Sequence, residues 1–362
     1  MKKKFWAILL VLIMILLGTT ACGGKPESND SAAEPSTSGE SAEPEKTFTS
    51  AIVIPGTLGD NPIFQMMVGG AEEAAAEAGF AKPKEVEGGD DYAGYEKLLL
   101  SLAESQSYDL LITYTDSMAE SVLKIAAMYP EQKIQLLDGD ITSTGQEVPP
   151  NVYSSRFKNE DLGYLGGCFA GLITKSDLPN ANKDLKVGLI FTDIYPSWTN
   201  YIQPAFEKGA KSIDPQIEIV FSVVGNWVDP LKGAEVARAQ FAQGVDVVWF
   251  TTGASTYGAV DEAKRQHKYA ICSDNNGISA APEVILGCTV IEGKDTAKES
   301  FVKAYKGELA YGTVEDLGAK EGVVSFTFDD PSYLEKVPEE IRSRMEAIYK
   351  DLAGGKIDPL AK

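Results

Sequence analysis

The chain has 362 residues, 44% of them hydrophobic, with 53 acidic against 33 basic side chains and a formal charge of −20. That length favours two domains of ordinary size over one. So acidic a surface repels phosphate backbones and anionic headgroups, which excludes a nucleic-acid partner and a polybasic membrane contact. His267 is the only histidine. A Ser–His or Cys–His nucleophile, or a multi-histidine metal site, would have to use it. It lies in Lys264-Arg265-Gln266-His267-Lys268, the polar end of a predicted helix. Little room is left for an enzyme, and no cofactor or metal is expected.

Lys2, Lys3 and Lys4 precede an apolar run from Phe5 to Leu17, and Gly18-Thr19-Thr20-Ala21 then leads into Cys22. An apolar run of about 13 residues is short for a spanning helix, which needs roughly 20. The pattern resembles a bacterial lipoprotein signal, with Thr19 where that signal usually has leucine. Residues 1–21 are therefore expected to be removed and Cys22 to carry lipid, tethering the protein at the extracytoplasmic face of a cell membrane. Without its three leading lysines the chain carries −23 instead of −20. Residues 23–46 contain three prolines and no large apolar side chain. Such a segment cannot offset its ordering entropy by burial and reads as a flexible tether. Beyond it lie only Cys168, Cys272 and Cys288, widely spaced and each in an apolar segment. They read as small buried hydrophobes and not as a disulfide framework.

Folded structure is expected from about Phe48. Short β-rich runs fall at Ala51–Pro55, Leu110–Tyr114, Lys133–Leu137, Val152–Phe157, Val187–Phe191, Ile217–Val224, Val245–Thr252, Tyr269–Ser273 and Val284–Ile291. Between them, apolar residues recur at helical spacing over Pro62–Gly79, Tyr95–Glu104, Ser117–Met128, Leu162–Thr174, Tyr201–Ser212, Leu231–Gln243 and Tyr257–Gln266. Glu335–Leu352 reads as a C-terminal helix. Strands that are apolar nearly throughout, alternating with helices, predict parallel sheets covered on both faces. A weak internal repeat refines this. The run Tyr108-Asp109-Leu-Leu-Ile leads to Leu137-Asp138, and Val245-Asp246-Val-Val-Trp leads to Ser273-Asp274. The paired aspartates are 29 and 28 residues apart. Two α/β lobes with the same wiring are the natural reading.

In doubly wound sheets, ligands bind beyond the carboxyl ends of the strands. After the first strand comes Gly56-Thr57-Leu58-Gly59-Asp60-Asn61-Pro62, which lacks the GxxxxGK[ST] phosphate loop. Asn61 can cap the helix that Pro62 begins, so the loop serves either a neutral or cationic polar ligand or plain capping. Other strand ends carry Tyr114-Thr115-Asp116, Asp138-Gly139-Asp140, Thr251-Thr252-Gly253 and Asp274-Asn275-Asn276. Their carboxylates can accept hydrogen bonds from sugar hydroxyls or from ring and exocyclic N–H groups. No DxDxDG-type calcium loop is present. Tyr195, Trp198, Tyr201 and Trp227 lie near polar loops and suit stacking on a flat ring. Phe64, at helical spacing, suits the core equally well.

The landmarks GDNPIFQMMVGG (59–70), SYDLLI (107–112), KIQLLDGD (133–140), VYSSRFKNEDLGYLGG (152–167) and GNWVDPLKGAEVARAQFAQGVDVVW (225–249) are joined by TTGASTYGAVDEA (251–263) and SDNNG (273–277). Together they resemble the basic membrane protein family, lipoprotein receptors for purine nucleosides in ABC importers. The resemblance implies the type I periplasmic binding protein fold, with two doubly wound parallel-sheet lobes closing over a small ligand. It implies nucleoside contacts at Asp60 and Asp274, a role for Asp138, and base stacking between Ile63 or Phe64 and Trp198, Tyr201 or Ile202. The chain departs from the family at Ile63 and Phe64, where an aromatic and an Asn are usual, and near Ile291 or Glu292, where a Lys is usual.

The expected lobes are 47–158 plus 292–319 and 159–291 plus 320–332, hinged near Lys158, Glu292 and Lys320, with 333–362 as a C-terminal helix and tail. The expected partners are a small nucleoside-like molecule, an ABC permease and, through lipid, the membrane; a monomer is expected. Expected ligand contacts are Asp60, Asn61, Phe64, Tyr114, Asp138, Trp198, Tyr201, Trp227, Gly253 and Asp274. A sensor docking on a membrane signalling protein would share this architecture. An extracellular nucleosidase or glycosidase using paired carboxylates such as Asp138 and Asp274 is the alternative of a different class.

Overall fold

The computed structural model describes residues 47–59, 62–89, 91–251 and 253–361. The predicted signal, Cys22, the tether and the site candidates Asp60 and Asn61 lie outside the described residues. β1 (Ser50–Ile54), β2 (Lys84–Glu87), β3 (Leu110–Tyr114), β4 (Lys133–Leu137) and β5 (Val152–Phe157) come first. β6 (Lys186–Phe191), β7 (Glu218–Val223), β8 (Val247–Thr251), β9 (Tyr269–Cys272) and β10 (Ile285–Ile291) follow, then β11 (Thr313–Leu317) and β12 (Val324–Phe326). They form two six-stranded sheets, ordered β11-β5-β4-β3-β1-β2 and β12-β10-β9-β8-β6-β7. Every pairing is parallel except that of β10 with β12. The fold is thus the doubly wound parallel α/β architecture that the alternation implies.

Both sheets are buried on two faces, which is why β1, β3 and β8 carry no exposed residue. Helices α1 (Pro62–Glu77), α2 (Tyr95–Ser105), α3 (Ala119–Met128), α4 (Asn159–Thr174), α5 (Gln203–Ile213), α6 (Pro230–Phe241), α7 (Ser255–Gln266) and α8 (Gly293–Lys306) supply the cover. α4 is covered on almost every side. Gly163, Gly167 and Gly171 recur every four residues, on one helical face. A Cβ there would lie 2.5, 2.0 and 3.1 Å from the carbonyl oxygens of Ile202, Phe206 and Ala210. Only hydrogen at those positions lets α4 and α5 approach backbone to backbone.

The structure adds elements the sequence pattern does not mark. β2 (KEVE) and β11 (TVEDL) are charged edge strands, and β12 is three residues long, so none shows an apolar run. α8 buries a narrow stripe of mostly small residues, Gly293, Ala297, Ser300, Phe301 and Ala304. The predicted helix Glu335–Leu352 is corrected to two, α9 (Pro331–Lys336) and α10 (Glu339–Ala353). Pro338 has no N–H and biases Val337 towards extended backbone, where it is found (ψ 126°). The predicted helix from Tyr201 begins instead as a π-turn, Trp198–Ile202, that runs into α5. Among the described residues no helix is long and apolar enough to cross a membrane.

Candidate functional site

The carboxyl ends of the strands hold most of the candidate residues. Beyond β3, β4 and β9 the chain turns through left-handed backbone at Thr115 (φ 72°), Asp138 (φ 52°) and Asp274 (φ 71°). Aspartate tolerates that region, whereas for a β-branched threonine it costs on the order of 1–3 kcal/mol. Thr115 is therefore the strained position among these three strand ends.

The carboxylates of these turns act on one another. Asp138 is held well above the usual carboxylate range, first by burial and then by the charges of Asp116 and Asp274, against a hydrogen bond from the Phe157 backbone N–H. β4, before Asp138, is in the first sheet and β9, before Asp274, is in the second. The two groups therefore bring acidic charge close together from different sheets. Burial pushes Asp274 up to about 6, although the Ser273 hydroxyl donates to its Oδ2 at 3.1 Å. Asp116 is raised mainly by burial, while the Asp140 backbone N–H donates to its Oδ1 at 2.8 Å. Asp116 is exposed to solvent, but Asp138 and Asp274 are half-buried without a tight cationic partner and suit a ligand that donates N–H or O–H groups.

On the second-sheet side the rings gather. Trp198 packs edge-on against Tyr195 (4.9 Å between centroids), Trp227 (5.6 Å) and the buried Phe191 (5.3 Å). Trp227 Nε1 donates to the Tyr195 hydroxyl at 3.3 Å. Gly253, beyond β8, lies beneath Trp227, where a Cβ would come 3.0 Å from the indole ring. Trp198 stands in the π-turn, an irregularity frequent at functional sites.

The predicted set therefore separates. Asp138 and Asp274 form one interacting acidic pair, and Trp198, Trp227 and Gly253 one aromatic cluster. Phe64 and Tyr114 belong elsewhere: their rings stack at 6.0 Å inside the core, 6% and 0% exposed. Side chains alternate between the faces of a strand, and Tyr114 falls on the face of the first sheet that α1 covers. Tyr201 lies beneath the Arg156 guanidinium, whose carbon is 5.2 Å from the ring centroid. Sequence reasoning left Asp116, Tyr195 and Arg156 out of the predicted contacts. Asp116 and Tyr195 had a signal, as a carboxylate and a ring at strand ends. Arg156 had none, since it sits within a strand among apolar and hydroxyl residues.

Solved structures share this fold of two doubly wound parallel sheets. An ABC transporter solute-binding protein from Aeropyrum pernix K1 superposes with a TM-score of 0.71 at 22% identity, covering 86% of this chain and 92% of that one. The family model described as "ABC transporter substrate-binding protein PnrA-like" matches residues 48–356. The chain belongs to this Bmp family. Among its relatives, the "CD4+ T-cell-stimulating antigen" of Listeria innocua is 26% identical over 74% of this chain and 70% of its own length. The "ABC transporter nucleoside-binding protein BmpA" of Lactococcus lactis is 24% identical over 70% and 72%. The protein is a substrate-binding component of an ABC transport system, working with a small-molecule ligand and a permease. It binds rather than converts its ligand, which sets aside the carboxylate-based enzyme.

Proposed function

We propose that the ligand is a purine nucleoside, and that the protein captures it outside the cytoplasm while anchored to the membrane by lipid on Cys22. The observation that carries the reading is the acidic pair Asp138 and Asp274, close enough from different sheets for one charge to act on the other; the Trp198–Trp227 cluster is proposed as the stacking wall. The carboxylates accept hydrogen bonds from the ribose hydroxyls and base N–H groups, and the indoles flank the base. Asp60 and Asn61, outside the described residues, complete the proposed set of ligand contacts. The Lactococcus relative, described as nucleoside-binding, supports the same chemistry.

In this reading 47–158 plus 292–319 and 159–291 plus 320–332 act as lobes, with crossings near Lys158, Glu292 and Lys320 as the hinge. Closure excludes water, strengthens each hydrogen bond and presents the closed surface to the permease. Titration calorimetry with inosine, guanosine and adenosine, against ribose, free bases and amino acids, tests the assignment. Nucleosides are expected to bind at least a hundredfold more tightly than ribose or free base. A sugar or amino acid that binds where no nucleoside does would overturn it.

A further inference from the structure

We propose that Arg156 is a positioning residue that clamps the two halves of the protein together and sets how far the cleft stands open without ligand. It rests on the hinge reading above, not on the identity of the ligand. Arg156 is the penultimate residue of β5, with its side chain 18% exposed. Its Nε donates to Asp316 Oδ1 at 2.9 Å, on β11 of the same sheet, where the two residues pair in register. Its two terminal nitrogens donate in parallel to Glu160 at 3.1 and 3.2 Å, at the start of α4, just past the first crossing. The guanidinium face then covers the Tyr201 ring, in the π-turn on the second-sheet side.

These contacts differ in what a hinge motion does to them. Asp316 travels with β5, so that distance is fixed on rotation, whereas Glu160 on α4 and Tyr201 in the π-turn packed against α4 both belong to the other half. Tyr201 must therefore separate from Arg156 as the cleft widens. Burial opposes its ionisation, but Asp316 and Glu160 push its pKa up, so the clamp is permanently charged. Lysine could not replace it, because only a planar guanidinium can bridge a carboxylate with two nitrogens and stack on a ring at once.

The test reads the ligand-free protein. Spin labels at Glu120→Cys and Glu235→Cys, exposed positions on α3 and α6, report one half against the other in a Cys22→Ser background. Cys168, Cys272 and Cys288 are buried and stay unlabelled. Tyr201→Leu and Arg156→Lys are each expected to move the ratio of closed to open distances towards open by about three- to tenfold. Tyr201→Phe, which keeps the ring, should restore it, and the Arg156→Lys/Tyr201→Leu double variant should shift no further than the larger single. A merely structural role would lower Tm in Tyr201→Leu and leave the distances alone, which overturns the clamp. Additive shifts in the double variant overturn it too. A single fixed distance in the unsubstituted protein, with and without inosine, overturns the hinge itself.

Discussion

Asp274 carries a prediction with two readouts of opposite sign. Its folded pKa of about 6 stands above the ordinary value of 3.8. A carboxyl whose pKa rises on folding contributes stability that is fully present below the unfolded pKa and is lost as pH rises through the folded one. The window here runs from about pH 4 to about pH 6, and a rise of that size corresponds to about 3 kcal/mol. Asp274→Asn removes that cost, so the ligand-free variant should melt a few degrees higher at pH 7 and lose much of its pH dependence across the window. Removing the charge also relieves Asp138, which Asp274 raises. Ligand binding should respond the other way. If the bound ligand donates to the ionised carboxylate, only about a tenth of the free protein is competent at pH 5, and affinity for inosine there should be about tenfold weaker than at pH 7. Calorimetry in two buffers of different ionisation enthalpy would detect the accompanying proton release near pH 6. Affinity flat between pH 5 and 7, together with an Asp274→Asn variant no more stable than the parent, would refute the reasoning.

Other substitutions probe the scaffold. Gly167→Ala drives a Cβ to within 2.0 Å of the Phe206 carbonyl oxygen and should cost about 3 kcal/mol or more by denaturant unfolding. Gly69→Ala, on α1 with nothing within 4 Å, should instead stabilise by about 0.5–1 kcal/mol. Asp229 caps α6 by accepting from the Leu231 N–H at 2.9 Å and the Lys232 N–H at 3.3 Å, so Asp229→Ala should cost about 1 kcal/mol in the same assay. Inosine should change the tryptophan emission of the parent, and Trp198→Phe should abolish most of that change while the buried Trp249 remains; an unaltered response would remove Trp198 from the cleft wall.

Local chemistry made much of this protein legible. β3, β4 and β5 have the predicted bounds because each is a short run rich in β-branched, aromatic and aliphatic residues bounded by turn residues. Asp138 and Asp274 could be singled out because doubly wound sheets bind ligands beyond their strand ends, and the repeated Asp spacing gave both the same place. What the linear pattern could not supply depends on neighbours distant in sequence. β2, β11 and β12 are strands only because an adjacent strand offers hydrogen bonds to backbone with little apolar signal of its own. Phe64 and Tyr114 looked like candidates for the wall, and packing alone turned them into each other's partners in the core. The raised carboxyls at Asp138 and Asp274 follow from burial and, at Asp138, from charge brought close by the other sheet, neither of which a sequence displays. Arg156 is the clearest case. Nothing around it in the chain distinguishes it, and its role comes from Glu160, Asp316 and Tyr201 being brought to one guanidinium by the crossing of the two sheets. Side-chain periodicity settles which elements form, whereas the fields and contacts at the site arise only once those elements are assembled.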